Sequence, residues 1–588
     1  MWKAPISARR LGKSSLVAVV AWATSGFFAP GAQAVCSQVP GSNDDWECVG
    51  SQTTPFDDMA TLEDQKLTVR TDALVRVVGD GLTGIAVGDD TTVDVERRSR
   101  VKVEGDDAIA LSGGHQIRLT NRGSIRANGD RSTALSLDAR DATSGISDPL
   151  NTGRISAVGT QAVAIETRGR VELDNRGQVD ASGAGGVAVL MRGENNEIAN
   201  RGLIEASDGA TAVRFAEGAT GSLLVNHAGG VVRARNGSTD AVDGSSGDER
   251  IRNLGTIRGN LRLRGGDDKL VLKTGSAIDG FVEAGTGNDA LVVRGGGRLP
   301  LRLQLFSGFE TLELDSGGRV DLAGSGAFTG GVSLERGMVT ALGPVAIDGA
   351  VDQRRRNVLG IGLEGGLLDV TGQVDVRGDL QLIPEGYTAA GSRLLIEADG
   401  GLVGDFRSTD SDLALLDLDF IRDATSLSVD VTRRSYASVA ETGNQREAAE
   451  LLDALVPFAE ADELDPELDD LLGLLDVQDL DGVLQGYDAM SPEYYDAHTS
   501  AAFDMGREFD AVLRRPPLVC QVGTEPENEA FRRPCGTRDL EPWFLGWGSY
   551  LDRNAVGGNI GYEQKGGGLA IGVQKRLRPW LEVGAGVG

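Results

Sequence analysis

The stretch that decides the fold runs from Asn121 to Ile257. NRGSIRA occupies 121–127, NTGRISA 151–157, NRGQVDA 175–181, NRGLIEA 200–206 and NLGTIRG 253–259, with a looser copy, NHAGGVV, at 226–232. Successive copies begin 30, 24, 25, 26 and 27 residues apart. Short apolar runs fall in mid-repeat: TALSL at 133–137, QAVAI at 161–165, GVAVL at 186–190 and TAVRF at 211–215. Self-similarity at this period marks a solenoid. Within the phrases apolar residues alternate, as Ile125 and Ala127, Ile155 and Ala157, Val179 and Ala181, Ile204 and Ala206. A period of two puts these side chains on one face of a strand. One coil cannot bury that face, but stacked coils bury one another's. The spacing predicts a right-handed parallel β-helix. The Asn-x-Gly opening fits a turn in which Gly takes a positive φ and Asn bonds nearby backbone. Asn at matching positions of successive coils can also form a hydrogen-bonded ladder. The leucine-rich repeat shares the period, but its L-x-x-L-x-L pattern is missing.

Working outward, the bulk numbers narrow the choices. The 588 residues include 83 Gly and only 5% aromatics, which suits many turns around small interior positions. The net charge of −29 argues against nucleic acid as a partner, since binding it needs a basic footprint. Only His115, His227 and His498 are available for imidazole chemistry. The four cysteines form two local pairs, Cys36 with Cys48 and Cys520 with Cys535, which suggest two small disulfide loops in an oxidising compartment. Neither pair has C-x-x-C spacing, and no cofactor is expected.

Residues 1–34 read as a secretory signal peptide. Lys3, Arg9, Arg10 and Lys13 form a positive start, Leu16 to Phe28 an apolar run, and Ala32-Gln33-Ala34 a small-residue site cleaved after Ala34. The twin Arg9-Arg10 is followed by a poor match to the Tat pattern, so Sec export is expected. Val35 before Cys36 argues against a lipoprotein box. No later stretch reaches 18 apolar residues, so no spanning helix is expected. Residues 35–120 are an N-terminal cap and first coils, with strand-like TTVDV (91–95), RVKVEG (100–105) and AIALSG (108–113).

The repeats extend over 121–300, and their last part changes style, with GGDDKLVL at 265–272 and GTGNDALVV at 285–293. The second matches the tail of a calcium-binding nonapeptide. Such a site needs several consecutive copies, and one shortened copy beside one reasonable copy favours Asp268 and Asp289 as turn formers. Residues 301–434 continue as strands with Gly turns. They include Arg377-Gly378-Asp379, a triplet of low specificity that lies inside an alternating strand pattern. In the segment 435–542, NQREAAELLDAL (444–455) has a helical period with Ala448, Leu451, Leu452 and Leu455 on one face. An acidic, Leu-rich run follows at 460–484, and a second helix is expected over 492–514, N-capped by Ser491. From 543 to 588 the pattern reads as two or three alternating strands of about ten residues with interfacial aromatics, as in outer-membrane barrels.

Three features together resemble a bacterial autotransporter of the monomeric, type V kind. GSRLLIEADGGLVGDF (391–406) with LSVDVTRR (427–434) is similar to the C-terminal end of a β-helical passenger in that family. NQREAAELLDAL with MSPEYYDAHTSAAFDMGREFDAVLRR (490–515) resembles its helical linker. WFLGWGSYL with GGNIGYEQKGGGLAIGVQKRL resembles its first barrel strands. The resemblance implies Sec export, insertion of a C-terminal barrel with help from barrel-assembly machinery, and passage of the passenger to the cell surface, C-terminal end first. It also implies about twelve barrel strands, whereas the chain stops at Gly588 after about three. The expectation is therefore an outer-membrane barrel truncated early, since an open barrel leaves unpaired backbone in lipid.

Three activities are weighed for the passenger. An adhesin-like or structural β-helix, facing host or neighbouring cells, needs no catalytic site. A polysaccharide-degrading β-helix needs clustered carboxylates, or a base with Arg or Lys, on one face of several coils. Asp130, Asp208 and Asp240 lie in turns of different coils and read as turn formers. A serine protease is disfavoured, because no G-D-S-G or G-x-S-x-G is present and His115 and His227 stand in no motif. The adhesin-like reading leads, and the segment 435–445 lacks an Asn-Asn pair for passenger cleavage.

Overall fold

The computed structural model describes residues 36–139, 146–238, 240–410, 413–461, 463–490, 499, 502–507, 510–511, 541–554, 562–578 and 581–587. The expected signal peptide with Ala34, the pair Cys520 and Cys535, and most of the helix expected over 492–514 lie outside the described residues. The chain is mainly β, a parallel β-solenoid with a few short helices and a three-stranded antiparallel sheet. It divides into two compact units, Met1–Leu190 with Leu203–Thr211, and Met191–Gly202 with Ala212–Gly588.

In the first unit each coil contributes three short strands, and each strand pairs in parallel with its counterparts one coil away. Lys66–Val69, Leu74–Val78 and Thr83–Val87 form one coil, and Thr92–Val95, Arg100–Glu104 and Ile109–Gly113 the next. The register stacks Val75, Val101, Ile125, Ile155, Val179 and Ile204 into one aliphatic column, every member of it buried. The alternation in the repeated phrases thus corresponds to inward and outward side chains. At the start of the stack Cys36–Gln38 runs antiparallel to Asp45–Cys48, and a disulfide joins Cys36 to Cys48. The Cys36 N–H donates to Gln52 Oε1 at 2.6 Å. This hairpin covers an edge that would otherwise offer itself to another strand.

The repeated asparagines lie inside the turns. Asn121 Nδ2 donates to Asn151 Oδ1 at 2.8 Å, and Asn151 Nδ2 to Asn175 Oδ1 at 2.8 Å. The same amides also donate to the carbonyls of Arg154 and Gln178, at 3.3 and 3.2 Å. Asn121 Oδ1 in turn accepts the Gly123 N–H at 3.1 Å. The glycines of these phrases differ from expectation, since Gly123, Gly153 and Gly177 do not take positive φ. Close approach is what requires them. A Cβ on Gly153 would lie 2.2 Å from the Gly123 carbonyl oxygen, and one on Gly177 2.2 Å from that of Gly153.

The second unit repeats the device, with Asn200 donating to Asn226 and Asn226 to Asn253, each at 2.9 Å. Beyond Asn253 the coils shorten. Arg250–Asn253, Lys269–Lys273, Ala290–Gly295 and Thr311–Ala327 pair in parallel, with Arg250, Lys269, Ala290 and Thr311 in register. Three long strands follow, Thr311–Ala327, Gly331–Asp348 and Val351–Gly362, which run through the coil corners with bulges. Leu402–Gly404 and Ser408–Asp410 still pair in parallel with the coil before, while on one face the parallel order gives way at Gly391–Ala398. That strand pairs antiparallel with Ser426–Arg433, which pairs antiparallel with Leu416–Arg422.

Three helices close this end, α1 (Gly443–Glu460), α2 (Pro466–Asp476) and α3 (Leu480–Met490). Thr442 and Gln445 form a capping box on α1, and Asp465 caps α2 with Pro466 at its first turn. Leu452, Leu472, Leu475, Val483 and Tyr487 bury themselves with Leu415 and Tyr436. The helix predicted over 444–455 is longer than expected, and α2 and α3 occupy the acidic run. Its buried face is also rotated. Gln445, Ala449 and Leu452 are buried, while Leu451 is 68% exposed. Gln445 belongs to this face, where its side chain accepts the Thr442 N–H and donates to Asp488 at 2.9 Å. The Arg433 guanidinium is held over the rings of Tyr387 and Tyr436, 4.3 and 4.8 Å from their centroids, and pairs with buried Asp476 at 2.6 Å.

The antiparallel sheet consists of Glu541–Arg553, Tyr562–Arg578 and Leu581–Val587, arranged as a meander. No helix among the described residues is long and apolar enough to cross a membrane, which says nothing of a β-barrel.

Candidate functional site

The second unit carries a groove on the outer face of the sheet containing Arg250–Asn253, Lys269–Lys273 and Ala290–Gly295. Alternation sends Ile251 and Leu270 inward and Arg250, Arg252, Lys269 and Lys273 outward. Register then sets Arg250 beside Lys269, and Lys273 beside Arg294. These five cations, with Leu223 and Val271 as an apolar floor, line a cavity of about 570 Å³ that no carboxylate enters. Other arginines of the solenoid are paired, as Arg154 with Asp180 at 2.8 Å and Arg264 with Asp243 at 2.6 Å. Arg294 also has partners, Glu313 at 3.2 Å and Asp315 at 3.7 Å. Arg250, Arg252, Lys269 and Lys273 are in no ion pair among the described residues. Such a group of cations in one groove contrasts with the net charge of −29 of the chain.

A column of acids stands at the foot of this sheet. Glu249, Asp268, Asp289 and Glu310 each precede the first residue of a strand in it. Each acceptor takes the N–H of the acid one coil earlier. Asp268 accepts from Glu249, Asp289 from Asp268, and Glu310 from Asp289, all at 2.7 Å. Glu249, Asp268 and Asp289 are buried, and Glu249 Oε2, Asp268 Oδ2 and Asp289 Oδ2 meet no donor. Burial is the main cause that pushes Glu249 up to about 6 and Asp268 up to about 8, with neighbouring carboxylates adding to it. Asp289 is raised for the same reason. A proton on either acid would supply a missing donor, and the nearness of Glu249 and Asp268 ties the titration of one to that of the other.

Asp268 and Asp289, read from the sequence as turn formers, stand buried immediately before their strands. One oxygen of each is committed to a backbone N–H of the neighbouring coil. No group of three His, Cys, Asp or Glu side chains is placed to hold a metal among the described residues. Sequence reading missed Glu249 and Glu310. An acid immediately before each apolar run at 249, 268, 289 and 310 was the signal that could have found them.

The remaining candidates are engaged in structural bonds. Asp130 accepts the Thr160 N–H at 2.8 Å, in an exposed column with Asp106 and Asp80. Asp208 accepts from the hydroxyls of Ser182 and Ser207 at 2.9 and 2.8 Å. Asp240 faces Arg262 at 3.5 Å. His115 Nδ1 lies 2.8 Å from Asp89. Within the Arg-Gly-Asp triplet, Arg377 pairs with Asp375 and Asp379 with Arg407, so neither charge projects freely. Compared with known proteins, the chain matches no protein-family model and no curated protein.

Proposed function

We propose that this chain is an autotransporter-like protein whose β-solenoid is exported and displayed at the bacterial outer surface, where it acts as an adhesin-like or structural passenger. The observation that supports this reading is the antiparallel sheet 541–587. Its register brings Phe544 opposite Ile571 and Gly546 opposite Leu569. Phe544, Leu569, Ile571, Leu577 and Val583 all lie more than half exposed, at 65, 63, 53, 55 and 51%. An apolar band of this kind on antiparallel strands suits a lipid-facing barrel surface, and in water it would be an aggregation hazard. The helices before the sheet fit a linker, and Sec and the barrel-assembly machinery are the partners that the reading requires.

Fractionation of a Gram-negative host expressing the full chain tests it. The expected result is recovery in outer membranes that resist urea washing, with the solenoid digested by protease added to intact cells. Recovery as a soluble periplasmic protein overturns the reading. Reading the DNA past codon 588 is the companion test, with further amphipathic strands of about ten residues expected and an immediate stop codon opposing.

A second reading, a polysaccharide-degrading solenoid, is favoured by the groove, which places Arg and Lys from three coils on one face. Release of reducing sugar by the purified chain would support it.

A further inference from the structure

We propose that the groove bounded by Arg250, Arg252, Lys269, Lys273 and Arg294 binds a short segment of an acidic glycan, a sugar chain bearing sulfate or carboxylate groups. This inference names a ligand class for the displayed solenoid and so deepens the reading above, while binding itself can be scored without export.

Geometry specifies the ligand. Register-paired residues of neighbouring strands stand about 4.8 Å apart, and each residue advances about 3.3 Å along a parallel strand. Arg250 with Lys269 makes one cation pair, and Lys273 with Arg294 makes another. Four positions separate Lys269 from Lys273, so the two pairs lie about 13 Å apart along the groove. Arg252 and Val271 stand side by side between them. The fit is to anionic groups at intervals on a linear chain, with an uncharged ring over Leu223 and Val271. Guanidinium forks meet sulfate or carboxylate oxygens two at a time, and the lysines add compact charges.

The surroundings limit its direction. Glu197 precedes the groove, in register with Leu223, and Glu313 follows it, in register with Val292. A polyanion laid across the coils meets carboxylates on both sides, so the favoured course is along the strands. Nucleic acid is the poorer match, because no aromatic side chain lines the groove for base stacking. An acidic peptide is also poorer. The groove lies on the face of a sheet whose backbone groups are used in its own ladders, so a peptide strand finds no edge to extend.

Calorimetric titration of the full chain in detergent tests the proposal. The probes are a heparin-type sulfated hexasaccharide, a hexagalacturonate, neutral maltohexaose and oligothymidine. Both acidic sugars are expected to bind, more weakly as salt rises, and maltohexaose is not. Arg250→Gln with Lys269→Gln should weaken binding by about tenfold or more. Because these side chains are exposed, thermal unfolding of the double variant should match the parent. Arg154→Gln, in the other unit, should leave binding unchanged. Equal affinity in parent and double variant overturns the proposal, as does equal binding of maltohexaose or tighter binding of oligothymidine. Failure here leaves surface display standing, because protease access on intact cells scores that separately.

Discussion

Two polar columns run through the turns of this solenoid, and they solve the same problem with different chemistry. In the first unit Asn121, Asn151 and Asn175 are each buried, yet each amide both donates and accepts. The column can therefore be extended by a further coil without leaving a bond unmade. In the second unit Asp268 and Asp289 also accept across coils, but an ionised carboxylate donates nothing. Each then leaves an oxygen buried without a partner, or keeps a proton to supply one. An amide column is indifferent to pH, whereas an acid column buried in this way is more stable when it carries protons than when it is charged.

The sharpest way to break this contrast is to put one chemistry in place of the other. Asn151→Asp keeps the acceptor for Asn121 but removes the donors to Asn175 and Gln178 and places a charge in a fully buried turn. A loss of about 3–5 kcal/mol is expected at neutral pH, smaller below pH 4, read from urea unfolding. Gly153→Ala probes the tight stacking that brings the asparagines together. Its Cβ would meet a backbone oxygen rather than a flexible side chain, so a loss of about 1–3 kcal/mol is expected in the same assay.

The acid column can be sharpened by pH. Its folded pKa values lie above the ordinary 4.5 and 3.8 of Glu249 and Asp268, so the folded state holds the extra protons. The stability they confer is full below those ordinary values and is lost as pH rises through about 6 and about 8. Hydrogen exchange at the amides of 249, 268 and 289 should accelerate across that window beyond the intrinsic pH effect, with no such change at Asn121 or Asn151. Asp268→Asn retains the acceptor for the Glu249 N–H and supplies a permanent donor. It should gain about 1–2 kcal/mol at pH 9 and nearly nothing at pH 5. The smallest effect is expected in the exposed Asp80, Asp106 and Asp130 column, where water satisfies what the protein does not. Asp130→Asn should change stability by less than about 0.5 kcal/mol.

These differences also explain what could be read in advance. The aliphatic column was legible because Ile125, Ile155, Val179 and Ile204 recur with one phrase and alternate within it. The asparagine ladder was legible for the same reason. The groove was not, because its cations at 250, 252, 269, 273 and 294 become neighbours only when the coil shortens. The acid column was half seen, since Asp268 and Asp289 stand in phrases similar to a calcium-binding nonapeptide while Glu249 and Glu310 do not. The face of α1 was misplaced in part because Leu451 and Leu452 are equally apolar, and only the packing against the core separates them. Glycine was recognised in the Asn-x-Gly turns for the wrong reason, because the distance between coils, unlike φ, leaves no local mark.

The ion pair of Arg433 and Asp476 has a temporal meaning. The strand Ser426–Arg433 ends on a charge whose partner lies 43 residues further along the chain. Until α2 arrives, that guanidinium is held in water by its hydration, and the hairpin with Leu416–Arg422 cannot settle against the helices. The pair works as a latch that only a completed segment through Asp476 can set. In an export order that delivers the C-terminal end first, the latch would close before the coils emerge, and each new coil would find a finished wall to build on.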